Sequence, residues 1–306
     1  MSAFDLAVLG ADDPLGTAIL QILEEREVPI GRLYALSVGE ADSSVTFGGQ
    51  EWPCEPAEGF DFGRAQALLV ASRTPVAARL VEAARARCPA MPIRTVDDLD
   101  PAPAVAVGRV LRTLTALGGP LSADAFVALP VSYAGQDAVE ELATQSRGLF
   151  NLESPDAEVF PLRIAFNLLP HDAATGPHDF AGRLRAACAR LAGDASVEFS
   201  VAWAPLFFGA AAQLHVRADA ELDADALRAA LRHRDDLVLM EADLPAATPT
   251  PATDAQGSEA VFVGRIRGDA GRFRFWLVFD PLQIEAGALV SAVENWIDKP
   301  ASSMLT

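Results

Sequence analysis

A glycine that ends an apolar run, with a helix-patterned segment directly behind it, constrains the fold of this chain more than any other feature. Phe4 to Leu9 is apolar apart from Asp5 and stops at Gly10. Leu15 to Arg26 then carries apolar residues at Leu15, Ala18, Ile19, Ile22 and Leu23, a spacing that predicts one buried helix face. Leu33 to Ser37 follows as a second strand. The opening is thus a strand, turn, helix, strand unit, the start of a parallel sheet. Ala67 to Ala71 (ALLVA) repeats the buried-strand signature, and Pro75 to Arg87 is again helix-like. These elements predict a Rossmann-type α/β domain over residues 1–117. A late helix, Ala286 to Trp296, is expected to pack back on it, adding residues 285–306.

From residue 118 to 284 the pattern is α+β. Strands are expected at Ala125–Leu129, Val159–Leu169, Val197–Trp203, Ala211–Arg217, Ala260–Arg267 and Phe273–Phe279. Helices are expected at Gln136–Leu149, Phe180–Leu191 and Ala224–Arg232, the last capped by Asp223. Leu244 to Ser258, with Pro245, Pro249 and Pro251, reads as a loop.

With 306 residues and 51% hydrophobic content the chain can bury two cores, and 22% charged residues exclude global disorder. A net charge of −18 argues against nucleic acid or an anionic membrane as partner, since both are bound through clustered Lys and Arg. No stretch approaches the roughly 20 apolar residues of a spanning helix. Met1 to Gly10 lacks the basic flank of a signal peptide, so a cytoplasmic location is expected.

Cys54, Cys88 and Cys188 are far apart and lack metal-ligand spacing, which fits structural or surface thiols in a reducing compartment. His178, His215 and His233 have no partner at ligand spacing either, and no metal is expected. Lys299 is the only lysine, which excludes a Walker-type phosphate lysine and a Schiff-base lysine. Glu140 and Glu141 read as a solvated helix face.

The turn itself, Gly10, Ala11, Asp12, Asp13, Pro14, Leu15, Gly16, supports two readings. As a phosphate-binding turn it would contact a dinucleotide through Gly10, Ala11, Leu15 and Gly16, with Ser37 at the end of the second strand completing the site. Yet Asp12 and Asp13 would repel a pyrophosphate and Pro14 offers no N–H. As a purely structural start, Asp12 or Asp13 is the N-cap and Pro14 the first helical residue. The second reading is favoured, and no cofactor is expected. After Ser37, the run Val38, Gly39, Glu40, Ala41, Asp42 has no Arg for a 2′-phosphate, so any dinucleotide that did bind would be NAD before NADP.

Several stretches resemble the aspartate-semialdehyde dehydrogenase family. GADDPLGTAILQILEEREVPIGRLYAL is similar to that family's opening turn, helix and second strand. GQDAVEELATQSRGLFNLESPDAEVFPLRIAFNLLPHD, Gly135 to Asp172, is similar to its helix-plus-strand stretch, and VFVGRIRGD at Val261 to Asp269 and the closing helix also match. The resemblance implies a second domain of the glyceraldehyde-3-phosphate-dehydrogenase-like dimerisation type. It also implies an NADP-dependent reduction of aspartyl phosphate in amino-acid biosynthesis, through a cysteine thioester formed at a helix N-terminus.

The residues that the resemblance makes functional are missing. The nucleophile's stretch reads Asp100, Pro101, Ala102, Pro103, Ala104, Val105. The supporting Gln falls near Leu129, the substrate-binding Glu near Ala187, the substrate-binding Arg on Trp203, and the general-base His on Ala210. His171 matches a residue that is structural in the family. The loop with the phosphate-binding Arg is compressed into Ile93 to Pro103, with Arg94 as a remnant. No catalytic residue is therefore assigned. The leading expectation is a catalytically inactive relative kept as a homodimer, its interface formed by the strands Val159–Leu169 and Val197–Trp203, with Phe199 a test position. The alternatives are an active dehydrogenase using NAD or NADP, and a sensor of an uncharged small molecule in a cleft lined by Trp203 and Leu129.

Overall fold

The computed structural model describes residues 4–39, 43–171, 179–193, 195–218, 223–241, 248–269 and 271–298. Glu40, Ala41, Asp42, His178, Lys299 and the first part of the proline-rich loop lie outside the described residues. The chain divides into two compact units, Met1–Leu99 with Glu285–Thr306, and Asp100–Ile284. Among the described residues no helix is long and apolar enough to cross a membrane.

In the first unit β1 (Phe4–Leu9), α1 (Pro14–Glu25) and β2 (Ile30–Ser37) form the opening βαβ unit. A hairpin, β3 (Ser44–Phe47) and β4 (Gln50–Pro53), turns through Gly48 and Gly49, both at positive φ, as a tight two-residue hairpin requires. β5 (Glu55–Pro56), β6 (Ala67–Val70), α2 (Pro75–Arg87) and β7 (Ile93–Thr95) complete a parallel sheet in the order β5-β2-β1-β6-β7. β1 and β6 have every residue buried except Asp5, the continuous burial of a sheet covered on both faces. α1 buries Leu15, Ala18, Ile19, Ile22 and Leu23.

The second unit opens with α3 (Ala102–Gly118) and β8 (Leu121–Leu129), followed by α4 (Gln136–Phe150), the two-residue β9 (Leu169–Pro170), α5 (Phe180–Ala192) and β10 (Ala195–Trp203). β11 (Ala210–Ala218), α6 (Ala224–Arg232), β12 (Leu237–Met240), β13 (Val261–Asp269) and β14 (Arg272–Phe279) complete it. Its seven strands run in the order β12-β13-β14-β11-β8-β10-β9, with mixed directions. The division falls at Leu99, not near residue 117. The reason is α3: it packs on α5, and Gly108 is so close to Leu191 that an added Cβ would meet the leucine Cβ at 2.9 Å. The last helix, α7 (Pro281–Asp298), belongs to the first unit from Glu285 onward. There Glu285 is ion-paired to Arg73 at 2.6 Å, and Glu294 and Ser291 receive Arg26 at 3.1 Å.

One expected strand is absent. Val159 to Leu168 is irregular, and only Leu169 and Pro170 pair with β10. The cause lies on α4. Gln145 Oε1 accepts the backbone N–H groups of Ile164 and Ala165 at 2.9 and 3.1 Å, and its Nε2 donates to the carbonyl of Asp156 at 3.0 Å. Glu141 accepts the N–H groups of Glu158 and Val159 and the Nε2 of Gln145. Two side chains thus satisfy backbone groups that a strand would have satisfied through a ladder. Glu141 is accordingly buried, while Glu140 is exposed, so only the latter belongs to a solvated face.

The strand alternation in the second sheet is clean. Ala123, Ala125 and Val127 on β8, Val197 and Phe199 on β10, Leu214 and Val216 on β11, and Phe273 and Phe275 on β14 are buried on one face. Phe199 therefore belongs to the interior of its own unit and is not a surface position; the open face of β10 carries Ser196, Glu198 and Ser200.

Candidate functional site

In the glycine turn, Gly10 takes φ +77° and its N–H and that of Ala11 donate to the carbonyl of Leu36 at 2.8 and 3.1 Å, joining the turn to β2. A Cβ on Gly16 would lie 2.0 Å from the Gly10 carbonyl oxygen, so only glycine lets α1 start this close to β1. Both glycines are thus demanded by packing whether or not a phosphate ever binds. Asp13 occupies the N-cap position with Pro14 behind it, but its side chain makes no cap hydrogen bond; the carboxylate instead lies against Gly10, 2.8 Å from where a Cβ would sit. Asp12 Oδ2 accepts from Ser37 Oγ at 2.6 Å and Ser43 Oγ at 2.7 Å. Leu15 is buried at 3% exposure, and Ala11 fully. The hydroxyl of Ser37 is committed to a carboxylate of the turn.

Arg94 lies on the edge strand β7, lining a cavity of about 580 Å³ with Ser291, Asn295 and Trp296 of α7. Arg73, just past β6, is held by Glu285, which is 1% exposed.

The second unit contains all five positions where the resemblance places chemistry. α3 begins with Ala102 as its first residue, Pro101 at its N-cap and Pro103 next, and Ala102 is fully buried. Leu129, Ala187 and Ala210 are likewise fully buried, and Trp203 is 4% exposed. None of the five carries a group able to attack a carbonyl, transfer a proton or neutralise an anion. Among the described residues no group of His, Cys, Asp and Glu is placed to hold a metal ion.

Aromatic rings meet around Trp203. Its centroid is 5.1 Å from that of His171 and 5.4 Å from that of Phe160. His171 in turn stacks on Phe180 at 4.7 Å, and Phe180 approaches Tyr133 at 6.5 Å. Trp203 ends β10 beside Leu129, which ends the parallel strand β8. Among the described residues, Trp203 Nε1 and Ser132 Oγ are buried polar atoms with no hydrogen-bond partner. Trp203 and Leu129 thus sit inside the unit rather than facing an open cleft. Nothing in the sequence pattern distinguishes Ser132 from an ordinary loop serine.

The buried thiols Cys54 and Cys188 are not poised for chemistry. Burial pushes Cys188 up to about 12. Burial also raises Cys54, and the nearby charge of Asp12 adds to it, against a lowering hydrogen bond with Ser43. All three cysteines are free.

Fold and site together define a Rossmann-type domain joined to a mixed-sheet domain in which the five positions singled out by the resemblance are apolar and buried. Residues 115–284 match the family described as semialdehyde dehydrogenase, dimerisation domain. A USG-1 protein homolog of Azotobacter vinelandii is 32% identical over 328 aligned positions, covering 95% of this chain and 96% of that one. An aspartate-semialdehyde dehydrogenase of Shewanella violacea is 24% identical, with 95% and 96% covered. The chain belongs to the semialdehyde dehydrogenase family. In fold it is similar to a probable aspartate-semialdehyde dehydrogenase from Pseudomonas aeruginosa (TM-score 0.80, 24% identity, 95% and 98% covered) and to aspartate semialdehyde dehydrogenase II from Vibrio cholerae (0.79, 22%, 97% and 99%).

Proposed function

We propose that this member of the family does not catalyse the dehydrogenase reaction and serves as a folded homodimer with an assembly or regulatory role. The observation that carries this reading is the start of α3, where Ala102 stands buried between two prolines. Thioester chemistry needs a thiolate at the reacting carbon, and a methyl group cannot supply one. Supporting it, the other four positions are Leu129, Ala187, Trp203 and Ala210, all buried.

The glycine turn also argues against a dinucleotide. Asp12 and Asp13 place two carboxylates where a pyrophosphate would need N–H donors, and Ser37 is already bonded to Asp12. Self-association is supported by the apolar surface of the second unit: Phe150, Leu152, Leu162 and Phe166 are all more than 60% exposed and Leu168 is 52% exposed. Phe150 and Phe166 meet edge to face at 5.8 Å, and exposed apolar side chains concentrated in this way are of the kind that mark an interface.

The test is an assay of phosphate-dependent NADP reduction with aspartate semialdehyde, alongside calorimetry with NADP and NAD. No rate above a blank without protein is expected, and no dissociation constant of about 10 μM or tighter, roughly −7 kcal/mol. A rate above the blank would establish an active enzyme instead. A second reading, a small-molecule sensor, draws on Trp203 Nε1 and Ser132 Oγ, two buried donors without partners among the described residues. A ligand-dependent rise in melting temperature that Trp203→Phe abolishes would favour it.

A further inference from the structure

A cavity of about 580 Å³ opens within the first unit, between the edge strand β7 and the later turns of α7. On the helix, Ala288, Ala292, Asn295 and Trp296 recur every three to four residues and so share one face. The two alanines leave the space, and Trp296 bounds it with an aromatic surface. On the strand, Ile93 and Arg94 form the opposite wall.

The glycine turn lies elsewhere. Strand register aligns Ile93 with Leu68 of β6 and Ala7 of β1, and Arg94 with Leu69 and Val8. β6 therefore separates the cavity from β1, whereas Gly10 is bonded to Leu36 of β2, on the other side of β1. The five positions that the resemblance makes functional all belong to the second unit.

The charge of this cavity runs against that of the chain. Acidic residues outnumber basic ones by 42 to 24, yet among the described residues no Asp or Glu lines the cavity, and Arg94 is its only charged group. Arg94 is half-buried and has no hydrogen bond or ion pair among the described residues. Two other arginines of the same unit are matched, Arg73 by Glu285 and Arg26 by Glu294. A half-buried guanidinium without a counter-charge favours an anion from outside.

The kind of anion follows from the surroundings. One planar guanidinium fork matches one carboxylate through two parallel hydrogen bonds. The carbonyl end of α7, where Asn295 and Trp296 sit, carries a partial negative charge that opposes a dianion more than a monoanion. Ile93 and Trp296 offer apolar and flat surface to the rest of the molecule. Small-molecule sites span roughly 300–1,000 Å³, a range that includes this cavity.

We propose that this cavity binds a small monocarboxylate with a flat aromatic body, its carboxylate on Arg94 and its ring against Trp296. Both walls are regular elements, and β7 is fixed just beyond Arg94 by the Thr95 N–H, which donates to Asp98 at 2.9 Å. The site is thus formed before a ligand arrives. It is independent of self-association and of catalysis in the second unit.

The experiment is titration of the full chain with benzoate, followed through the indole N–H signals in proton–nitrogen correlation spectra. Trp296→Phe identifies the signal of Trp296. Benzoate should move that signal saturably, with a dissociation constant of about 1 mM or tighter, and leave those of Trp52, Trp203 and Trp276 in place. Arg94→Gln should weaken benzoate by at least about tenfold, and neutral benzyl alcohol should bind the unaltered chain at least about tenfold more weakly than benzoate. Circular dichroism melting confirms that the variant is folded. If it is not, Ala288→Leu, which fills the cavity from an exposed helix position, takes its place with the same expected loss. No saturable movement up to about 10 mM benzoate would overturn the proposal. So would benzoate affinity that ignores the variant, or benzyl alcohol binding as well as benzoate. Inorganic phosphate that displaces benzoate at equal concentration would overturn the monocarboxylate in favour of a phosphate.

Discussion

The indole of Trp203 lies against the imidazole of His171 at an interplanar angle of 30°, centroids 5.1 Å apart. The resemblance puts a substrate-binding arginine at the first of these positions. An arginine there would bring a charge into a site that is 4% exposed, beside a fully buried Leu129. Burying an unpaired charge is far costlier than burying an indole. The aromatic cluster is thus a packed core at the position where the resemblance places that arginine.

Truncating that core should be felt as a cavity. Trp203→Ala is expected to cost about 3–5 kcal/mol of unfolding free energy. Trp203→Phe should cost about 1 kcal/mol or less, since it keeps a ring and removes an Nε1 that has no partner among the described residues. Urea titrations of the two variants provide the check; equal losses would mean that the indole N–H is bonded after all.

The clamp on α4 gives a more local outcome. Gln145→Leu removes the acceptor of Ile164 and Ala165 and leaves their buried N–H groups unsatisfied. At about 1–3 kcal/mol per orphaned group the variant should lose roughly 3 kcal/mol. Hydrogen exchange should show the amides of Ile164 and Ala165 losing protection before those of β8 do. If they keep their protection, the segment is held by something other than Gln145.

How much of this was legible in the sequence follows from which periodicities are local. The βαβ opening, the helix Pro75–Arg87 and the capped helix behind Asp223 rest on short-range patterns, and each stands within a few residues of its reading. Asp223 does accept the N–H of Ala226. Val159 to Leu168 has strand-like composition, but its backbone groups are taken by Glu141 and Gln145, residues up to twenty positions away that read as an ordinary helix face. The interior position of Phe199 is a matter of phase: alternation along β10 was visible, but which phase faced the helices was not. In the turn, the charge of Asp12 and Asp13 is an obstacle to a phosphate that composition alone exposes, whereas the bonds from Ser37 and Ser43 to Asp12 depend on where the chain returns after β2.

Thiol reactivity separates a buried structural cysteine from a catalytic one. With its thiol raised to about 12, Cys188 would be ionised to about one part in 10,000 at pH 8. Titration of the native protein with a thiol reagent at that pH should show rapid reaction of the half-buried Cys88 alone, and Cys54 and Cys188 only on unfolding. Rapid modification of Cys188 in the folded chain would reopen the case for a nucleophile.

The second unit should also show a defined acid sensitivity, centred on Asp236. Its carboxylate takes two hydrogen bonds from Arg234, at 2.8 and 2.6 Å, and lies 3.5 Å from Arg109 and 3.6 Å from Arg112. Burial pushes this carboxyl up, but the bonds from Arg234 and the charges of Arg234 and Arg109 outweigh it and hold the group below its ordinary value of 3.8. A carboxyl whose pKa is depressed on folding stabilises the protein above its unfolded pKa, and that contribution is lost as pH falls through the folded value. Asp236→Asn should therefore destabilise the protein at neutral pH by about 1 kcal/mol, the order of a partly screened ion pair, partly because Arg109, itself lowered chiefly by burial, loses one of the charges facing it. The deficit should persist down to about pH 5, then shrink as pH falls below about 4 and vanish once the wild-type carboxyl is protonated. Thermal melts of both proteins from pH 7 down to pH 3 would follow it. A difference that stays constant over that range would show that Asp236 acts through packing and not through its charge.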